Sequence, residues 1–400
     1  MRMLTRSHRP TGVAVVLGVA LGVALAVVLS WDPFSSRPHP GSLLDFDLET
    51  GALRFDVRAE TASVHLHALG RGLVVMTGAD NCNTPADREA MYAYSVPSGS
   101  LRWRRGLAGA CSDFSEPNKV SGGVVAVHTD GGVEGWSAAT GKTLWQVRLR
   151  EDDPPRQSAS TIVSPNSGSD QLHLIGPQSG RVERSLEVHY RPSVWAVTPT
   201  RIVLITQSSA GPGFRQQLTG IEPRTGRRLW RVPVGGEGGF YAPRTADGVT
   251  IVGSIPGAAS NTATYSAFDL RDGRLLWRQQ RRSVDVGSSG ELEATGAGLA
   301  LFVQAGTQTL QAFDLRTGTP RWKRHLVGWR TGGYSEVVAG AGSVAVADPG
   351  KLTVFEARDG TARWSKPLPT AGQRAHAPAA ILNGQLLIPS ISSAWTPYDE

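Results

Sequence analysis

The sequence predicts an all-β protein: an eight-bladed β-propeller of four-stranded antiparallel blades, closed by strands from both termini and preceded by one transmembrane helix. Three observations carry that expectation. A ten-residue unit such as FDLRDGRLLW (residues 268–277) recurs eight times along the chain. An aromatic ring stands four residues beyond the central glycine in most copies. An uncharged apolar run, TGVAVVLGVALGVALAVVLSW, occupies residues 11–31.

The N-terminus comes first. Arg2, Arg6 and Arg9 precede the apolar run. About 20 apolar residues cross a bilayer as a helix with every backbone group paired internally. The arginines on the short side predict that residues 1–10 stay in the cytoplasm and that Trp31 sits at the outer interface. No small-x-small cleavage site follows the run and no cysteine ends it. An uncleaved signal-anchor is therefore expected, with a cleaved signal peptide as its rival. On either reading the rest of the chain leaves the cytoplasm. The Pro- and Ser-rich residues 32–41 read as a linker and residues 42–400 as the propeller. The expected location is a bacterial plasma membrane, spanned once, with the propeller extracytoplasmic.

The repeat defines the blades. Its copies centre on Gly51, Gly99, Gly141, Gly180, Gly226, Gly273, Gly318 and Gly360. Periods of this size signal propellers or solenoids. Five and eight residues before each glycine stand large apolar side chains, often with a small residue between them, as in a buried strand. A carboxylate four before it (Asp47, Glu222, Asp269, Asp314, Glu356) suits the free N–H groups of a turn. The glycine supplies the left-handed conformation of a tight hairpin. Four beyond it stands Trp103, Trp145, Trp230, Trp277, Trp322 or Trp364, replaced once by Phe55 and once by Arg184. Upstream of each unit a glycine turn opens a short β run, as in GGVVAVHT (122–129) and DGVTIVGS (247–254). Each period thus holds four strands, A to D, which make one propeller blade. The glycine pairs Gly296/Gly298 and Gly340/Gly342 fall at A–B hairpins with no helix after them, so they are turns and not dinucleotide loops. The chain begins with strands C and D (residues 43–57) and ends with an A and a B, which together complete one blade and remove an open sheet edge. The tail AWTPYDE (394–400) competes for place C.

The units AFDLRDGRLLW and AFDLRTGTPRW resemble the repeat of quinoprotein (PQQ) dehydrogenase propellers and of their non-catalytic relatives, among them the outer-membrane assembly lipoprotein of the Bam complex. The resemblance covers residues 43–400. It implies that Phe55, Trp103, Trp145, Trp230, Trp277, Trp322 and Trp364 dock flat on the neighbouring blade, and that the blade bearing Arg184 departs from the pattern. Quinoprotein dehydrogenases hold their cofactor with adjacent cysteines, a Ca²⁺ ion and a catalytic Asp. The two cysteines here are Cys82 and Cys111, and no Ca²⁺-spaced carboxylate cluster is visible. No cofactor is expected, PQQ with Ca²⁺ included.

What does not repeat holds the candidate sites. Cys82 falls in the B–C loop of the first full blade and Cys111 in the D–A loop leaving it; both loops emerge on one face, where a disulfide would pin them. That face is the preferred partner surface, with simple stapling of a loop as its rival. His65 and His67 alternate in SVHLHAL, and His376 belongs to the closing blade; three imidazoles facing the channel are candidates for Zn²⁺ or Cu²⁺, against ordinary solvated histidines. Strand D is rich in arginine (Arg102, Arg104, Arg105, Arg324 and others), read as a guard on an exposed edge or as a basic rim. The net charge of +7 suits anionic partners, but no basic helix or lysine-rich tail points to nucleic acid. The expected function is a non-enzymatic, membrane-anchored scaffold, a monomer, that binds an extracytoplasmic protein or an anionic envelope polymer. The alternatives are a PQQ-dependent dehydrogenase or PQQ-binding protein, and a ligand or metal sensor using the propeller channel.

Overall fold

A computed structural model of the chain describes residues 42–390, apart from 59–62, 71, 80–89, 108–117, 130, 150–154, 159, 167–169, 189–192, 209–214, 235–239, 255–261, 283–291, 305–306, 328–335, 349 and 369–378. Residues 11–31, Cys82, Cys111 and His376 lie outside the described residues. Among the described residues no helix is long and apolar enough to cross a membrane.

The described elements are all strands, and they form eight sheets, antiparallel except where the short β7 pairs parallel with β3. The N-terminal pair is β1 (Ser42–Asp47) and β2 (Leu53–Arg58). The first blade holds β3 (Ser63–Gly70), β4 (Leu73–Ala79), β5 (Ala90–Ser95) and β6 (Leu101–Gly106), with a short β7 (Asn118–Lys119) added. The second holds β8 (Val124–Thr129), β9 (Gly132–Ser137) and β10 (Thr143–Val147). The third holds β11 (Arg156–Gln157), β12 (Ile162–Asn166), β13 (Gln171–Ile175) and β14 (Val182–Glu187). The fourth holds β15 (Ser193–Val197), β16 (Ile202–Ser208), β17 (Arg215–Ile221) and β18 (Arg228–Val234). The fifth holds β19 (Phe240–Ala246), β20 (Val249–Ser254), β21 (Thr262–Asp269) and β22 (Leu275–Arg282). The sixth holds β23 (Leu292–Gly296), β24 (Leu299–Gln304), β25 (Thr309–Asp314) and β26 (Pro320–His325). The seventh holds β27 (Glu336–Gly340), β28 (Ser343–Asp348), β29 (Lys351–Glu356) and β30 (Ala362–Pro367). The chain returns with β31 (Ala380–Leu382) and β32 (Gln385–Ser390).

Seam chemistry explains the repeat. In five outer hairpins the tryptophan stands across from Gly or Ala, as Trp277 from Ala267 and Trp322 from Ala312, so its ring can lie over the sheet; Trp364 stands across from Val354. The ring then covers the turn glycine of the next blade. A Cβ added at Gly273 would meet Trp230 Cδ2 at 2.7 Å, and Gly273 also holds φ +73. No other residue meets both demands. The indole Nε1 donates to a carbonyl in the same turn. The bonds are Trp103 to Ala138 O (2.7 Å), Trp145 to Pro177 O (2.8 Å), Trp230 to Leu270 O (3.0 Å), Trp277 to Leu315 O (2.9 Å), Trp322 to Ala357 O (2.8 Å) and Trp364 to Leu48 O (2.9 Å). Carboxylates cap the turns, as Asp314 Oδ1 accepts from the Arg316 and Thr317 N–H groups. Burial works to raise the Asp314 carboxyl, yet Arg321 and Thr317 hold it at about 2.

Two copies depart. At the worn third blade Leu186 and Arg184 cover Gly226 in place of an indole. At the closing blade Phe55 covers Gly99 and has no N–H to give. Gln385 Nε2 fills that role: it reaches Val96 O at 3.3 Å and Asp45 Oδ2 at 2.9 Å. This closing sheet runs β2–β1–β32–β31, so β1 takes place C and strands from the two ends of the propeller pair along six residues each. Asp45 is fully buried there, and burial lifts its carboxyl to about 6 despite Arg54.

Truncating Trp277 to Ala should cost about 3–5 kcal/mol in urea unfolding. Trp277→Phe keeps most of the ring but leaves Leu315 O without its donor, an expected loss of about 1–3 kcal/mol. A folded carboxyl raised above its unfolded value contributes stability present below the unfolded pKa and lost as pH rises through the folded one. Asp45→Asn should therefore raise stability by up to about 3 kcal/mol near pH 8 and change it little near pH 4, read from denaturant melts at both.

Candidate functional site

The eightfold repetition breaks at one sector, and the break is on the inner side of the second blade. Among the described residues six sheets have four strands, as the repeat predicts, but the second has three and the first has five. The segment due to form the second blade's inner strand is β7, which instead pairs parallel with β3 of the first blade at Ala68–Asn118 and Leu69–Lys119. Among the described residues the inner edge of β8 has no strand beside it, only a single bridge from Ser121 to Val124. Side chains take the place of a strand. Gln157 Nε2 donates to Val124 O (2.7 Å) and Gln157 Oε1 accepts from Ala126 N (2.9 Å), the two bonds a neighbouring peptide would make. His67 Nε2 lies 3.0 Å from Ala126 O. A buried backbone edge needs such partners, because an unmade bond there costs about as much as a lost hydrogen bond.

His67 is thus bound into the seam between the first two blades. Burial lowers its pKa, with the Ala126 carbonyl working the other way and Arg156 adding to the fall. The neutral ring with its proton on Nε2 is the form that donates to Ala126 O. His67 is the residue at the bulge between Leu66 and Ala68. Of the three histidines in the metal reading, the structure describes the side chain of His67 alone.

Across the channel a second set of groups is visible only in the folded ring. Arg244 on β19, Glu293 on β23 and Glu336 on β27 come from the inner strands of three successive blades. Glu293 sits at the bulge between Leu292 and Ala294, a device that re-aims a side chain. Glu336 Oε1 accepts from the Ala379 N–H at 3.0 Å and so ties the seventh blade to the closing one. Desolvation raises Glu293 to about 7, opposed by Arg244. Desolvation raises Glu336 to about 8, opposed by the Ala379 N–H and Arg244 and reinforced by the charge of Glu293.

The strand-D arginines divide. Arg102, Arg104, Arg231 and Arg321 are exposed. Arg105 and Arg324 instead cross to the next blade, where Arg105 Nη1 donates to Gly141 O (2.9 Å) and Arg324 Nε to Gly360 O (2.6 Å). Gln279 does the same to Gly318 O (2.6 Å). The edge-guard reading does not hold for these two arginines. They stand two residues after the tryptophan, on its side of the strand, and that spacing is the signal that separates them from the exposed ones. Arg105 also stacks over Trp136 at 3.8 Å and pairs with Glu134.

A sequence profile of the family described as outer membrane protein assembly factor BamB matches residues 39–210 and 214–388. The chain belongs to that family. Outer membrane protein assembly factor BamB of Burkholderia pseudomallei (strain K96243) is 27% identical over 205 residues, 48% of this chain and 51% of the relative. The match therefore spans about half the length of that curated protein. Among solved structures, dihydro-heme d1 dehydrogenase NirN in complex with DHE has a TM-score of 0.54 at 14% identity, covering 82% of this chain and 73% of that one, a likeness of fold. BamB from Moraxella catarrhalis has a TM-score of 0.41 at 17% identity, covering 85% and 89%.

Membership of the BamB family agrees with the propeller that the repeat predicts. The glutamates on the channel wall make a pH dependence. Their folded pKa values lie above the usual carboxylate range, so their contribution to stability is full below about pH 4.5 and is lost as pH rises through about 7 and 8. Glu336→Gln should flatten the fall in melting temperature between about pH 5 and pH 9, while Glu336→Gln at pH 5 should melt within a few degrees of wild type.

Proposed function

We propose that the protein is a non-enzymatic scaffold of the outer-membrane-protein assembly type, held at the bacterial envelope by residues 11–31 and offering a protein partner the loops around its second blade. The observation that carries this reading is the break at β8. Six seams follow from one repeated lock, and among the described residues the second blade has the side chains of Gln157 and His67 in place of an inner strand. The non-repeating segments flank this break in sequence: residues 108–117, with Cys111, precede β7, and residues 80–89, with Cys82, come between β4 and β5 of the first blade. Loops set on a rigid frame are where proteins carry recognition. The name of the Burkholderia relative, an assembly factor, favours a partner that is itself a protein. A disulfide between Cys82 and Cys111 would hold those two loops together.

A quinone does not suit the described channel residues. PQQ is a tricarboxylate, and the inner wall offers it Glu293 and Glu336 beside the single cation Arg244 of the same three blades. The redox alternative has a direct test. Full-length protein given PQQ, Ca²⁺ and an artificial electron acceptor is expected to reduce no dye with alcohols or sugars; substrate-dependent reduction would overturn the scaffold reading. The positive test is cross-linking of the tagged full chain in its own membranes. The expected result is an outer-membrane-protein assembly component that co-purifies with wild type and at least about tenfold less with a variant whose residues 80–89 are replaced by a short Gly-Ser turn, at unchanged melting temperature.

A further inference from the structure

Eight seams close the ring, and among the described residues hydrogen bonds cross seven of them. The indoles of Trp103, Trp145, Trp230, Trp277, Trp322 and Trp364 cross six. Gln385 crosses the seventh, to Val96 O. Between described residues, no hydrogen bond or ion pair crosses the seam between the third and fourth blades.

The repeat shows what that seam lacks. Its indole position, four beyond the turn glycine, holds Arg184. Pro223 O corresponds to Leu270 O and Leu315 O, yet no described group donates to it. Two residues further on, Arg105, Gln279 and Arg324 reach Gly141 O, Gly318 O and Gly360 O at other seams. Here that position is Leu186, and no described group donates to Gly226 O. Leu186 and Arg184 lay only carbon over the turn: a Cβ at Gly226 would meet Leu186 Cδ2 at 2.5 Å and Arg184 Cδ at 2.6 Å. Gly226 is left half-buried, whereas all six turn glycines under an indole are buried.

Carboxylates do not repair the joint. Glu222 accepts from Thr225 in its own turn, Glu183 folds back over Gly176 of its own hairpin, and Glu187 is exposed. Arg184 is laid on a turn that itself carries Arg224 and Arg227, all three exposed, so surface charge weakly opposes closure. What holds the seam is aliphatic packing, by Val163, Leu172, Leu174, Ile202, Leu204 and Ile221. Apolar burial is non-directional. Local opening is drawn from the parts of a fold held by the fewest interactions.

We propose that the ring opens and recloses at the seam between the third and fourth blades while the other seven stay shut, a gate that bares the facing sheets without unfolding them. Two buried positions of equal register test it. Leu204 pairs with Thr219, seven before Gly226, and Val252 pairs with Ser266, seven before Gly273. Both are fully buried, Leu204 in the third–fourth seam and Val252 in the fourth–fifth. Leu204→Cys or Val252→Cys in the full chain is exposed to iodoacetamide in low urea. Labelling is read by mass spectrometry of the peptide carrying the new cysteine, beside the global unfolding of each variant. Position 204 should label at least about tenfold faster than its global unfolding allows, with little dependence on urea. Position 252 should label only as fast as global unfolding allows. Labelling of both at the global rate overturns the gate; equally fast, urea-independent labelling of both overturns the choice of seam. Leu186→Gln gives Gly226 O the donor that Gln279 gives Gly318 O. It should slow labelling at 204 by about tenfold and leave 252 unchanged; an unslowed 204 in a folded variant overturns the role of the missing bonds. If Leu186→Gln melts early, Trp230→Phe with Arg201→Ala removes the bonds that cross the fourth–fifth seam to Leu270 O and Arg271 O. Position 252 should then label like 204, and an unchanged rate there overturns the same role.

Discussion

An indole laid flat on the next blade's turn glycine is the contact from which the rest of this structure follows. The ring needs a small residue beneath it on its own sheet, which places Ala267 opposite Trp277. It needs a residue without Cβ ahead of it, which requires glycine at 273 in front of Trp230. Its N–H needs an acceptor, which holds the turn carbonyl at Leu270 in place. One side chain thereby sets three positions on two blades. That is why the repeat survives at these positions while the strands between them vary.

The ring must also close, and closure cannot use the same lock. Phe55 supplies the flat surface but no donor, and Gln385, 330 residues away along the chain, supplies the donor to Val96 O. The same amide group holds Asp45, a buried carboxyl that desolvation lifts against the opposing charge of Arg54. The second blade solves a like problem in another way. There the missing strand is replaced by Gln157 and His67, which satisfy the backbone edge of β8 one bond at a time.

Much of the frame was legible because its causes are local. The turn glycine, the capping Asp and the tryptophan stand within nine residues of one another, and each acts through its immediate backbone or the next repeat. The candidate site was less legible because its causes are not local. His67 read as a channel histidine, yet it sits at the bulge between Leu66 and Ala68 and lies 3.0 Å from Ala126 O of the next blade. Arg105 and Arg324 read as exposed edge charges, yet a two-residue step from the tryptophan carried them onto the next blade. Glu293 and Glu336 are 43 residues apart, each in an unremarkable β run, and no spacing rule joins them. They meet because successive inner strands share one channel wall.

The sequence by itself determined the all-β class, the eight blades and the closure of the ring by both ends, since a periodic pattern of turn and ring residues has one economical packing. It also placed the apolar run ahead of the propeller. Only the tertiary structure decided that the second blade lacks its inner strand, that Gln385 does the work of an absent tryptophan, and which carboxyls are lifted. Those outcomes depend on the distance between groups on different blades. A linear pattern carries no measure of that distance until the backbone has closed the circle.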